Sequence, residues 1–186
     1  MVKKNNKVLI GLFVAIFVLP VVLAKLALEQ HWFTEAVTNK GELLQPVLDM
    51  SGISQGETQT KWKLLYVLPE KCDVACKNAL YSLNQIWLAL GKESDRVAAV
   101  VVSVAESDAV ALEELKNSPT LQLLATDKQS VNQVFKDVAT NGIFIADTLN
   151  NVILRYPTQN DSEQAVLHSR DILSDMRKVL KLSRIG

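Results

Sequence analysis

The sequence predicts an α/β fold, a mixed central sheet flanked by helices, preceded by one N-terminal transmembrane helix. Three observations predict it. A lysine-led apolar run opens the chain, with Lys3, Lys4 and Lys7 ahead of residues 8–28. From Trp62 onward, short apolar runs alternate with helical patterns. Cys72 and Cys76, the two cysteines of the chain, stand where the first such run meets the first such helix.

The apolar run reads as a membrane anchor. It is about 21 residues long, enough to cross a hydrocarbon core of ~30 Å if Lys25 snorkels to the far interface. Pro20 lies inside it, which membrane helices tolerate. Trp32 and Phe33 come next, at the depth of an aromatic belt, and His31 beside them reads as an interfacial residue. Lysines before the span place residues 1–7 in the cytoplasm and the rest in the periplasm or an equivalent space. The rival reading is a cleaved signal peptide with its site at Val22-Leu23-Ala24. The length of the run favours an uncleaved anchor, and both readings export the C-terminal domain.

The remaining composition narrows the classes of function. Twenty Lys+Arg balance 20 Asp+Glu in the 186 residues, and no basic element is interleaved with aromatics, so nucleic-acid binding is not expected. Seven Gly and five Pro are too few for a fibrous or disordered chain. No hydrolase nucleophile–base pair, phosphate loop or dinucleotide fingerprint is present.

Residues 29–60 read as a stalk that becomes an ordered lead-in, with a turn signal in Ser51-Gly52-Ile53-Ser54-Gln55-Gly56. Residues 61–186 read as the folded domain. Its first strand, Trp62-Lys63-Leu64-Leu65-Tyr66-Val67-Leu68, ends at Pro69. A helix comes after it, with Cys76, Ala79, Leu83, Ile86 and Leu90 at helical spacing and Gly91 as its stop. Val97-Ala98-Ala99-Val100-Val101-Val102 is continuous enough for a strand buried on both faces. A short helix is expected over 106–116, capped near Ser107 or Asp108, with Glu106, Asp108, Glu113 and Glu114 on a solvated face. A short edge strand at 121–125 and a helix over 130–138 come next. Two strands, 143–146 and 152–156, form a hairpin around Thr148-Leu149-Asn150-Asn151. The last helix spans 162–182 with Ala165, Ile172, Met176 and Val179 on its core face. Strand, helix, strand, helix, then hairpin and helix is the thioredoxin-like order.

The cysteines carry the chemistry. Positions four apart share a helix face, so the two sulfurs can meet each other or one ligand. A helix N-terminus, Lys71 and Lys77 favour thiolate, and Asp73 opposes it. Dithiol–disulfide exchange is one reading. Two thiolates holding Cu(I), with a third ligand, is another. Zinc lacks enough ligands. The plainest reading is a structural disulfide closing a small loop. His168, at the edge of the last helix's apolar face, and Met176, on its core, read as packing residues.

The residues also resemble a known family. Lys61-Trp62-Lys63-Leu64-Leu65-Tyr66-Val67 with the cysteine pair, Leu88-Ala89-Leu90-Gly91-Lys92-Glu93, Thr38-Asn39-Lys40-Gly41-Glu42-Leu43-Leu44 and Ile153-Leu154-Arg155-Tyr156-Pro157 resemble the transmembrane cytochrome oxidase associated proteins of proteobacteria. That family is distantly similar to the SCO1/SenC copper chaperones, which are thioredoxin-like and membrane-anchored. The resemblance implies an inner-membrane, single-pass protein whose periplasmic domain assists cytochrome c oxidase assembly, with the oxidase or its assembly factors as partners. Cys72, nearer the solvent and the helix start, is expected to be the attacking thiol, and Cys76, on the buried side of the helix, the resolving one. The alternatives are a scaffold with a structural disulfide and a weak Cu(I) carrier through Cys72 and Cys76. The chain departs from the chaperones at the third copper ligand, where Asn141 stands in place of a histidine.

Overall fold

The computed structural model describes residues 6–29, 39–53 and 60–184. The chain divides into two compact units, Met1–Thr38 and Asn39–Gly186. The first contains helix α1 (Asn6–Glu29), with Pro20 inside it. Its segment Ile10–Ala27 is long and apolar enough to cross a membrane. His31, Trp32 and Phe33 lie outside the described residues.

The second unit is built on one six-stranded sheet, with strands β1 (Glu42–Asp49), β2 (Trp62–Val67), β3 (Val97–Ser103), β4 (Leu121–Ala125), β5 (Gly142–Ala146) and β6 (Asn151–Pro157). The spatial order is β1-β6-β5-β2-β3-β4. β2, β3 and β4 are parallel, and β5 and β6 continue the sheet antiparallel on the other side of β2. The helices are α2 (Val74–Ala89), α3 (Ala109–Lys116), α4 (Lys128–Val134) and α5 (Ser162–Leu182).

Strand alternation sorts the core into two layers. Trp62, Leu64 and Tyr66 of β2 join Leu83 and Ile86 of α2, Leu115 of α3 and Ile172 and Met176 of α5. Leu65 and Val67 point the other way, to Met50, Val131 and Phe135. All of β2, β3 and β5 is buried, as expected of strands covered on both faces.

Each described α-helix of this unit starts on an aspartate. Asp73, Asp108, Asp127 and Asp161 accept backbone N–H bonds from the first turns of α2, α3, α4 and α5. Asp127 explains one difference from expectation: α4 begins at Lys128, not at 130, because the Asp127 carboxylate takes the Ser130 N–H at 2.8 Å. It also ends early, at Val134, where Phe135 leaves the helix to pack its ring 5.1 Å from that of Phe144. Gly91 closes α2 with φ 59°, the left-handed conformation that a side chain resists.

Two features were not legible in the pattern. Within the stretch expected to be stalk and lead-in, 42–49 is an edge strand, β1, paired with β6. Its apolar residues do not alternate cleanly, since Gln45-Pro46 interrupts them and the ladder is irregular between Leu43 and Leu48. The second feature is Asp175, only 1% exposed on the core side of α5. It accepts from the backbone N–H groups of Lys40 and Gly41, from the Tyr156 hydroxyl at 2.8 Å and from Lys178 Nζ at 2.8 Å. Burial alone would raise its pKa. The donors outweigh it, led by Lys178, and hold the carboxyl below its ordinary value. Gly41 is required beside it, because a Cβ there would land on the Tyr156 ring.

Asp175 thus joins the chain entering the domain to both β6 and α5. Asp175→Ala leaves those donors unpaired in a buried site, so we expect a loss of about 3 kcal/mol, measured as a lower urea midpoint at unchanged slope.

The cysteine turn as candidate functional site

β2 ends inside the sheet, and the turn after it is fixed by the neighbouring turn after β3. Leu68 N–H donates to Val102 O at 2.9 Å, and Asp108 N–H donates to Pro69 O at 2.9 Å. The Ser107 hydroxyl donates to Leu68 O at 2.8 Å. Cys72 N–H then donates to Asp108 Oδ2 at 2.8 Å. The other oxygen of Asp108 caps α3 through Val110 and Ala111. One carboxylate therefore starts a helix and holds the cysteine turn. The sequence marks Asp108 as a cap on a solvated face. Its second partner, 36 residues away in sequence, has no local signal.

Asp73, the next residue, is the N-cap of α2 and accepts from Cys76 N–H at 2.9 Å. Cys72 immediately precedes the cap, and Cys76 is the third residue inside the helix. The cap brings their Cα atoms to 5.2 Å, and the sulfurs are joined in a disulfide. Cys76 is buried against Ala79 and Leu83, whereas Cys72 is half-buried at the edge of the same cluster. The oxidised form is therefore asymmetric, with one sulfur sealed by the core and its partner nearer solvent.

Beside the bridge lies a cavity of about 290 Å³, lined by Tyr66, Lys71, Asp73, Cys76, Asn141 and Asn160, among others. Burial, with the Asp73 charge adding to it, pushes the Tyr66 hydroxyl well above its ordinary value. It is neutral at physiological pH and available as a donor. Asn141, just before β5, shares this cavity with Cys76. Its amide oxygen is already engaged, accepting from Arg155 Nη2 at 2.9 Å. Arg155 also donates to Ala139 O and to Glu42, so β6 fixes the loop before β5 and ties it to β1. Arg155 stood in the sequence only as part of a strand.

The other metal candidates lie elsewhere. His168 Nδ1 is 3.5 Å from Gln159 Nε2 and lines a separate crevice between α2 and α5. Met176 is fully buried in the core of the cysteine face, and Met50 is buried in the opposite layer. Among the described residues there is no group of three His, Cys, Asp or Glu arranged to hold a metal ion. Reduction of the bridge would free two thiolates, and no third soft donor lines the cavity beside them.

Asp108 makes the turn sensitive to acid. The Cys72 N–H, then the α3 N–H groups and the charge of Lys77, hold its carboxyl below the ordinary Asp range against the opposing effect of burial. A carboxyl lowered on folding adds stability above its unfolded pKa and loses it as pH falls through the folded value. Stability should therefore decline below about pH 4. Asp108→Asn should flatten that decline, read as urea midpoints between pH 7 and pH 3.

Comparison with a family model agrees with the thioredoxin-like order. The family model described as transmembrane-like, thioredoxin-like, C-terminal domain matches residues 62–183. No curated protein matches the chain. Among solved structures, the chain is similar to copper-bound ScoI of Bradyrhizobium japonicum (18% identity, 70% of this chain and 97% of that one, TM-score 0.43). A thiol:disulfide interchange protein from Bacteroides sp. is similar at 18% identity over 65% of this chain and 74% of its own, with TM-score 0.44. A SCO1/SenC family lipoprotein from Bacillus anthracis str. Ames is similar at 12% identity over 78% and 97%, with TM-score 0.47.

Proposed function

The chain belongs to the transmembrane-like, thioredoxin-like, C-terminal domain family, and from that premise we propose that it is a membrane-anchored, periplasmic thiol–disulfide protein assisting cytochrome c oxidase assembly. The observation that carries the chemical part is the disulfide at the strand-to-helix turn, with Cys72 toward solvent and Cys76 in the core. The assembly role rests on the residues that resemble the oxidase-associated proteins. The lysines ahead of α1 support a cytoplasmic N-terminus in the inner membrane.

In the reduced protein, the Cys72 thiolate attacks one sulfur of a partner disulfide. That forms a mixed disulfide and releases the partner's second sulfur as a thiolate, which takes up a proton. The Cys76 thiol loses its proton and attacks Cys72 Sγ, expelling the partner's remaining sulfur. Two electrons pass to the partner, a cysteine pair of an oxidase copper site, and this chain is left with the Cys72–Cys76 bridge. A second dithiol protein must reduce it for the next turnover. The N-terminus of α2 and the nearby lysines favour the attacking thiolate.

The second reading is a scaffold with a structural bridge, favoured by the burial of Cys76. Cu(I) held by both thiolates belongs with these readings only if a partner contributes the missing donor.

The reduction potential separates them. We expect a value above roughly −250 mV with thiols open to exchange, whereas a value below about −300 mV favours the scaffold. Stoichiometric, tight Cu(I) uptake by the reduced chain would instead favour carriage. The variant Cys72→Ser/Cys76→Ser gives an independent check. Exchange predicts a folded protein, about 2 kcal/mol less stable from loss of the short loop, that no longer supports oxidase activity in cells. Retained oxidase activity points to the scaffold.

A further inference from the structure

We infer that the α2–α5 face binds a second copy of this chain through antiparallel pairing of the two α5 helices. α2 and α5 lie side by side and parallel: Asn78 donates to Gln159 O and Asn160 O at one end, and Arg177 donates to Ala89 O at the other. Between them runs a groove of about 220 Å³, walled by Tyr81 and Ala89 on α2 and by Val166, Arg170 and Leu173 on α5. The outer rim is apolar and open. Val166 is 44% exposed and Leu167 48%, and Tyr81, on the α2 wall of the groove, is exposed as well. Contiguous apolar surface of this kind marks an interaction site more often than scattered single residues do.

Two charges identify the occupant. Glu163 stands one turn before Val166, and Arg170 stands one turn after it. Both are exposed, and neither has an ion pair or hydrogen bond among the described residues. They are seven residues apart, about 10 Å along the axis, too far to pair with each other. A two-fold axis between Val166 and Leu167 lays a second α5 antiparallel on the first. Glu163 of each copy then meets Arg170 of the other, and Val166 of each meets Leu167 of the other. One symmetry operation pairs both orphan charges and covers both apolar side chains, the self-complementarity that a closed dimer requires. The stripe is small beside a standard interface, so the dimer is weak in solution and gains from confinement of anchored chains to one membrane.

The test is the protein mass of the full-length chain in detergent, by light scattering with the detergent contribution subtracted, over a concentration series. The mass should rise toward twice that of one chain. Glu163→Arg and Arg170→Glu should each raise the dissociation constant about tenfold or more, because the axis applies each like-charge contact twice. The double variant Glu163→Arg/Arg170→Glu should restore association. These sites are exposed, and unchanged circular dichroism confirms folding of each variant. A monomer at every concentration overturns the inference and leaves the face to another partner. A dimer indifferent to both single reversals also overturns it, since another surface would then hold the copies together.

Discussion

β2 is closed on every side. It pairs with β3 on one edge and β5 on the other, its two faces feed the two layers of core, and all six residues are buried. A strand so placed cannot shift register by one residue without exchanging its layers, which would send Lys63 into the apolar contacts of Leu64. The one charged group it carries, Lys63, is satisfied by Asn150 Oδ1 of the β5–β6 hairpin. The hairpin turn thus has a task beyond reversing the chain. Asn150, at φ 69°, presents its amide to the buried ammonium.

The position of the cysteine turn is a consequence of that closure. Where β2 ends, the chain must leave the sheet beside the end of β3, the arrangement common to ligand sites of open α/β sheets. The backbone groups exposed there are paired across the two turns, through Leu68, Pro69, Ser107 and Asp108. The disulfide is therefore built on a rigid base, with the Cys76 sulfur against the core and Cys72 toward the rim. Asp73 and Asp108 divide the work: one aligns Cys76 with the helix start and the other holds Cys72 to the neighbouring turn. Both are anionic, which opposes the lysines and the helix N-terminus. The balance of these charges sets how readily the bridge is reduced.

A second set of contacts works at a distance from the sulfurs. Arg155 joins β1, β6 and the loop bearing Asn141, and Asp175 joins the entry segment, β6 and α5. Both use one charged side chain to join backbone and side-chain groups from several elements. Such contacts are stronger than neutral hydrogen bonds and costly to break when buried. They also connect the segment that enters the domain with the sheet that carries the cysteine cavity.

Local sequence determined most of the architecture. The apolar run of β3, the helical spacing after Cys76, the aspartate caps, Gly91 and the hairpin turn each depend on residues within one element, so periodicity and capping chemistry reveal them. The cysteine pair was legible as a site for the same reason, since a strand, a turn and a helix start are contiguous. Tertiary structure alone decided what depended on distant partners. β1 exists because β6 offers it an edge, not because its own sequence alternates. Asp108 reaches Cys72, Asp175 gathers the entry segment, and Arg155 occupies the amide of Asn141. None of these pairs shares a helix turn or a strand, so no local period encodes them. They were set by the sheet order that folding imposed.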